Sequence, residues 1–230
     1  MKTLGIIGGM SAESTVPYYQ LINRAVNGRL GGNSSADLLM HSLNFESIAA
    51  LQRAGDWAGA GCVLADSAKR LEAAGAQGLL LATNTMHKVA EAIEKAVDIP
   101  FLHIVDITAD ALAAAGIRRV ALLGTRFTMS DGFYHARLNA RGIEVLTPSE
   151  KRQAEIHRII FEELCRNRFP AESKQFYADS VAELAEQGAE GVIFGCTEIG
   201  LLISQEDCPI PAFDSTVLHA EAAVEWLLAD

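Results

Sequence analysis

The feature that most restricts how this chain folds is that its second half repeats the landmarks of its first, in the same order. Leu71…Gly75-Ala76-Gln77-Gly78-Leu79-Leu80-Leu81-Ala82-Thr83 matches Leu184…Gly188-Ala189-Glu190-Gly191-Val192-Ile193-Phe194-Gly195-Cys196. Each is a helix, a Gly-Ala turn and a buried strand ending on a small hydroxyl or thiol residue. Thr3–Gly9 likewise matches Arg119–Thr125, and Ile99-Pro100-Phe101-Leu102-His103 matches Ile210-Pro211-Ala212-Phe213-Asp214. Between these landmarks, apolar runs of strand length alternate with segments of helical period. The strands read are 3–7, 37–41, 78–82, 101–104, 120–123, 144–146, 192–194 and 211–213. The helices between them are 14–27, 57–74, 86–96, 107–115, 154–165, 173–187 and 217–228. That alternation is the mark of parallel α/β architecture. The reading is therefore an α/β fold of two pseudo-symmetric lobes, each a parallel sheet flanked by helices.

The repeat also points to a site. Two similar halves facing each other bring Thr83 and Cys196 to equivalent walls of one cleft, at the carboxyl ends of strands, where open α/β sheets place their ligands. Thr83-Asn84-Thr85-Met86-His87 follows one strand and Cys196-Thr197-Glu198-Ile199 the other. A helix N-terminus at either place offers unpaired backbone N–H groups to a carboxylate. The same setting lowers the pKa of a cysteine and makes it a base or nucleophile. A free cysteine is more often a small buried hydrophobe. The flanking glycine, the Thr-Glu that follows and the symmetric partner favour chemistry at Cys196, whereas Cys62, Cys165 and Cys208 lack that setting and read as structural. Asp106 and Asp214 read as helix caps.

Several other chemistries are disfavoured. Gly5-Ile6-Ile7-Gly8-Gly9-Met10-Ser11 does not fit GxGxxG, and the second strand ends without an acidic ribose ligand, so nicotinamide binding is not expected. The histidines show no metal-ligand spacing. None of the lysines lies in a strand-end motif suited to a Schiff base. A net charge of −10 argues against nucleic acid. No run approaches the roughly 20 apolar residues of a membrane span, and the opening apolar run is too short and glycine-broken for a signal peptide. Cysteines without close pairing fit free thiols in the cytoplasm.

Gly8-Gly9-Met10-Ser11, Thr83-Asn84-Thr85-Met86-His87 and Gly195-Cys196-Thr197-Glu198 together resemble the aspartate/glutamate racemase family. The resemblance runs nearly the whole chain. It implies a site between two lobes, often in a homodimer, with the last strand and helix crossing back to the first lobe. The lobes are then 1–105 joined by about 209–230, and 106–208. It also implies racemisation of a small amino acid without a cofactor or metal: one cysteine removes the α-proton and a second returns a proton to the other face. Cys196 matches the cysteine that faces the L-enantiomer, and Thr83 stands where the family has its other cysteine. A threonine hydroxyl has no thiolate-like form near neutral pH, so an enzyme that handles L-substrates and is poor with D-substrates is expected.

For the substrate carboxylate and the carbanion, the candidates are the backbone near Gly9, Met10, Asn84 and Thr197 and the side chains of Asn84, Thr85, Thr125 and Thr197. For a second carboxylate they are Gln52, with its neighbour Arg53, and Arg166. Gln52 stands where aspartate-specific members commonly have arginine, which argues against strict aspartate preference. Alternative readings on the same scaffold are arylmalonate decarboxylation, hydantoin racemisation or maleate isomerisation, and a non-catalytic amino-acid-binding relative.

Overall fold

The structure is a computed structural model that describes residues 1–229. They form two compact units, one of Met1–His103 with the segment from His219 onward, the other of Ile104–Leu218. In the first unit β1 (Leu4–Gly8), β2 (Leu38–Ser42), β3 (Gly78–Leu81) and β4 (Phe101–Leu102) make a parallel sheet in the order β2-β1-β3-β4. Helices α1 (Ala12–Leu30), α2 (Phe45–Ala54), α3 (Trp57–Ala73) and α4 (Ala90–Glu94) connect them, with a 3-10 turn at Thr85–Val89. Side chains alternate across a strand. Ile7, Leu79 and Leu81 therefore pack with Leu64, Ala68 and Leu71 of α3, while Leu4, Ile6 and Leu80 pack with Tyr18, Ile22 and Val26 of α1. Burial on both faces explains why these strands read as continuous apolar runs.

The second unit repeats the plan. Strands β5 (Arg119–Gly124), β6 (Glu144–Leu146), β7 (Gly191–Gly195) and β8 (Ala212–Asp214) are parallel in the order β6-β5-β7-β8. The helices are α5 (Ile104–Ala114), α6 (Arg126–Ser130), α7 (Phe133–Asn139), α8 (Glu150–Glu162), α9 (Ala171–Glu186), α10 (Ile199–Leu202) and the start of α11 (Ser215–Leu228). A 3-10 turn, Leu164–Arg166, follows α8. Ala121, Leu123, Val192 and Phe194 face α8 and α9; Val120, Leu122 and Ile193 face α5 and α7. The identical strand order makes the repeat seen in the sequence a repeat of topology.

Two expectations are corrected. The last strand does not leave with the last helix: Val192, Ile193 and Phe194 of β7 pair with Ala212, Phe213 and Asp214. Asp214 then ends β8 and caps α11, accepting from the N–H of Thr216 at 2.8 Å and of Val217 at 3.3 Å. The chain joins the first unit only from His219, where Ala220, Ala223, Val224 and Leu227 enter the core beside Tyr18. Asp106 is not a cap, because α5 already begins at Ile104 and Asp106 is ion-paired with Arg137 from its first turn. No helix of the described residues is long and apolar enough to cross a membrane.

Candidate active site

The end of β7 is built on a close glycine approach. Gly124 of β5 pairs with Gly195 of β7. A Cβ on Gly195 would lie 2.9 Å from the Leu123 carbonyl oxygen, and one on Gly124 would lie 2.8 Å from the Gly195 carbonyl oxygen. Glycine at both places lets the strands stay paired to their tips, which sets Thr125 and Cys196 side by side as the first residues beyond the sheet. Cys196 is 7% exposed and Glu198 2%. The Cys196 thiol donates to Glu198 Oε2 at 3.0 Å and the Thr197 hydroxyl donates to the same oxygen at 2.7 Å. The Cys165 thiol donates to the other oxygen, Oε1, at 3.2 Å. One buried carboxylate thus collects three side-chain donors, two of them thiols.

This environment reverses the expected charge state of Cys196. Burial first, and then the adjacent Glu198 carboxylate, push its thiol well above the ordinary cysteine value; only the Glu198 backbone N–H works the other way. The helix end that was expected to supply a thiolate belongs to α10, a single turn of four residues with no side-chain cap, so its dipole is small against the carboxylate. Cys196 rests as a thiol that already points its proton at a base. Buried Tyr177 beside this group is likewise held protonated, by burial and by the neighbouring acidic groups.

The end of β3 is different. Thr83 is buried, and its backbone N–H donates to the Leu81 carbonyl at 2.8 Å. Its carbonyl accepts from Nδ1 of His87 at 2.7 Å, which fixes the proton of that imidazole on Nδ1. His87 packs against Phe101, His103 and His219. His219 accepts from the Tyr18 hydroxyl on Nδ1 and donates from Nε2 to the Leu102 carbonyl, both at 2.9 Å. Among the described residues, the Thr83 hydroxyl itself has no hydrogen-bond partner.

The other predicted residues divide. In the first unit Asn84 and Thr85 are buried beside Thr83. Gln52 is buried and donates to Sδ of Met86 at 3.0 Å, while Arg53 faces solvent and pairs with Glu46. Met10 lies in the apolar core with Ile7 and Ile48. Gly9 does not supply a free donor, since its N–H goes to the Thr15 hydroxyl at 2.8 Å, and its positive φ of 86° serves the turn into α1. In the second unit the Thr125 hydroxyl caps α6, accepting from the Thr128 N–H at 3.2 Å. Arg166 is exposed and makes no ion pair with any described residue, unlike Arg158, which holds Glu155, Glu162 and Glu163.

Glu198 and Cys165 are the residues that sequence reasoning missed as partners of Cys196. Glu198 had a signal, because a carboxylate two residues beyond the thiol on a tight turn folds back onto it. Cys165 had none, lying 33 residues from Glu198 along the chain. No group of three or more His, Cys, Asp or Glu among the described residues is placed to hold a metal ion.

A model of the Asp/Glu/hydantoin racemase family matches residues 7–223. The broad specificity amino-acid racemase RacX of Bacillus subtilis is 26% identical over 229 residues, covering 98% of both chains. A crystal structure of a protein described as a putative Asp/Glu racemase from Yersinia pestis is 47% identical, with a TM-score of 0.93 over 100% of both chains. That of an aspartate racemase homologue from Pyrococcus horikoshii is 35% identical, with a TM-score of 0.86 over 100% of both chains.

Proposed function

We propose, from the premise that the chain belongs to the Asp/Glu/hydantoin racemase family, that it racemises small amino acids without a cofactor and draws the α-proton chiefly from L-substrates through Cys196. The observation that carries this reading is the Cys196 thiol resting on the buried Glu198 carboxylate. As Cys196 takes the proton from Cα, its own proton passes to Glu198 Oε2, and the electron pair left on Cα spreads into the substrate α-carboxylate. A positioned acid–base pair of this kind contributes about 100- to 10,000-fold in rate. The Thr83 hydroxyl returns a proton to the other face and recovers one from water, and Glu198 releases to water the proton it took. Asn84, Thr85 and the backbone of the turn after Cys196 are the donors assigned to the carboxylate. Thr197 is not among the free hydroxyls, being committed to Glu198.

Aspartate and glutamate are the first substrates in this reading. Gln52 in place of a cation and the 26% identity to a broad-specificity racemase favour a wider set. The unpaired Arg166 is assigned to a second carboxylate. The two enantiomers are equally stable in water, so detailed balance makes the net inversion efficiencies in the two directions equal. The asymmetry of the site therefore shows in exchange of the α-proton with solvent, where Cys196 can remove and return a proton on the L face without inversion. Proton NMR in heavy water tests this. Deuterium should enter the α-position of L-aspartate or L-glutamate, and Cys196→Ser should abolish that exchange. Absence of exchange in the wild type across an amino-acid panel overturns the reading.

A further inference from the structure

We infer that Cys165 is a positioning residue for Glu198, holding one carboxylate oxygen so that the other stays aimed at the Cys196 thiol. The inference rests on the reading of Cys196 as the α-proton base and extends it to a residue outside the motif. The geometry is a division of labour on one carboxylate. Oε2 takes Cys196 and Thr197, at 3.0 and 2.7 Å, while Oε1 takes the Cys165 thiol, at 3.2 Å. The torsion that turns a glutamate carboxylate is broad, so the side chain alone does not keep an oxygen in line with Cys196. The Cys165 thiol on Oε1 limits that rotation. The anchor comes from a different part of the unit, the 3-10 turn Leu164–Arg166 after α8, whose Leu164 is fully buried in the core that also contains Cys196 and Ile199. That core fixes the turn, and the turn fixes the thiol.

The chemical character of the anchor suits its place. An arginine or lysine here would bind the carboxylate as a tight ion pair and suppress its uptake of a proton from Cys196. A thiol is a weak donor, so it orients the carboxylate without bringing a cation's charge to it. A serine at this position keeps a donor of similar size, and an alanine removes it. Two neighbouring polar groups are engaged elsewhere. The Tyr177 hydroxyl is directed at the Ile156 carbonyl, and Glu163 is engaged by Arg158 and Ser173.

The test combines spectroscopy without substrate and kinetics with it. The infrared S–H stretching band of Cys165 is identified as the band lost on Cys165→Ala. In the wild type it should lie at the lower wavenumber of a hydrogen-bonded thiol, and in Glu198→Gln it should move upward. In α-proton exchange of L-aspartate, Cys165→Ala should lower kcat about tenfold with KM unchanged, the scale of one hydrogen bond of ordinary net strength, and Cys165→Ser should restore most of it. A Cys165 band at the wavenumber of a thiol without a hydrogen bond and unmoved by Glu198→Gln overturns the proposal, as does full kcat in Cys165→Ala. The infrared result stands without any turnover. Failure of the racemase reading, seen as no exchange by the wild type, is therefore distinguishable from failure of this one.

Discussion

The ends of β3 and β7 occupy equivalent places in two sheets of identical strand order, yet they carry opposite equipment. At the end of β7 a thiol, a hydroxyl and a second thiol converge on one buried carboxylate. At the end of β3 the hydroxyl of Thr83 has no described partner, and the surrounding effort goes into the backbone, through the imidazole of His87 on the Thr83 carbonyl. The duplication therefore preserves position while the two ends differ in proton chemistry. In the proposed function, one end takes a proton and the other holds a weak acid in place.

The largest test of that contrast removes the carboxylate. Glu198→Gln keeps the side-chain shape but leaves Cys196 without a base, and L-face exchange should fall by about 1,000-fold, within the range for a positioned base. A fall of less than tenfold in the exchange assay would place the base elsewhere.

The next test concerns the histidines behind Thr83. Burial pushes His219 down to about 4 from its ordinary 6.5, against the opposing effect of its hydrogen bond to the Leu102 carbonyl. Between those values the unfolded chain binds a proton that the folded chain does not, so stability is full above pH 6.5 and falls as the pH drops toward 4. The loss from this group is roughly 3 kcal/mol. Both tryptophans, Trp57 and Trp226, lie in the first unit, so urea titrations followed by their fluorescence at pH 7 and pH 4 read that unit directly. His219→Gln should narrow the gap.

A smaller effect is expected from making the two ends alike. Thr83→Cys should raise D-face exchange, and net inversion in both directions with it, by about tenfold or more, as read by NMR and chiral chromatography. The smallest belongs to Arg53. Its ion pair with Glu46 is exposed on both sides, and such pairs contribute little. Arg53→Ala should leave exchange within twofold and the melting temperature nearly unchanged.

Much of the architecture was legible because a parallel sheet buried on both faces demands apolar runs, and here they come twice in one order. Helix α2, ten residues long, was not read, nor were α6, α7 and α10, which at five, seven and four residues are too short to show a period. Placing β8 with the first lobe failed because the hydrogen bonds of β8 are satisfied by β7, a pairing that sequence pattern does not reveal. At the site, the place of Cys196 just beyond β7 could be read from the glycine before it and the strand that leads to it. Its proton affinity could not, since that depends on how Glu198 folds back and on burial. Cys165 reads as one more core thiol until the turn Leu164–Arg166 is placed against Glu198. That the N–H of Gly9 is taken by the Thr15 hydroxyl, one turn into α1, could not be read from the sequence pattern.

The most direct measurement is the ratio of initial α-deuterium incorporation into L- and D-aspartate by the wild-type protein in heavy water. A base at Cys196 and only a weak acid at Thr83 predict that the L-isomer exchanges at least about tenfold faster than the D-isomer, largely with retention of configuration. Equal exchange of the two enantiomers would contradict the account, because it would require an equally competent base on the Thr83 side.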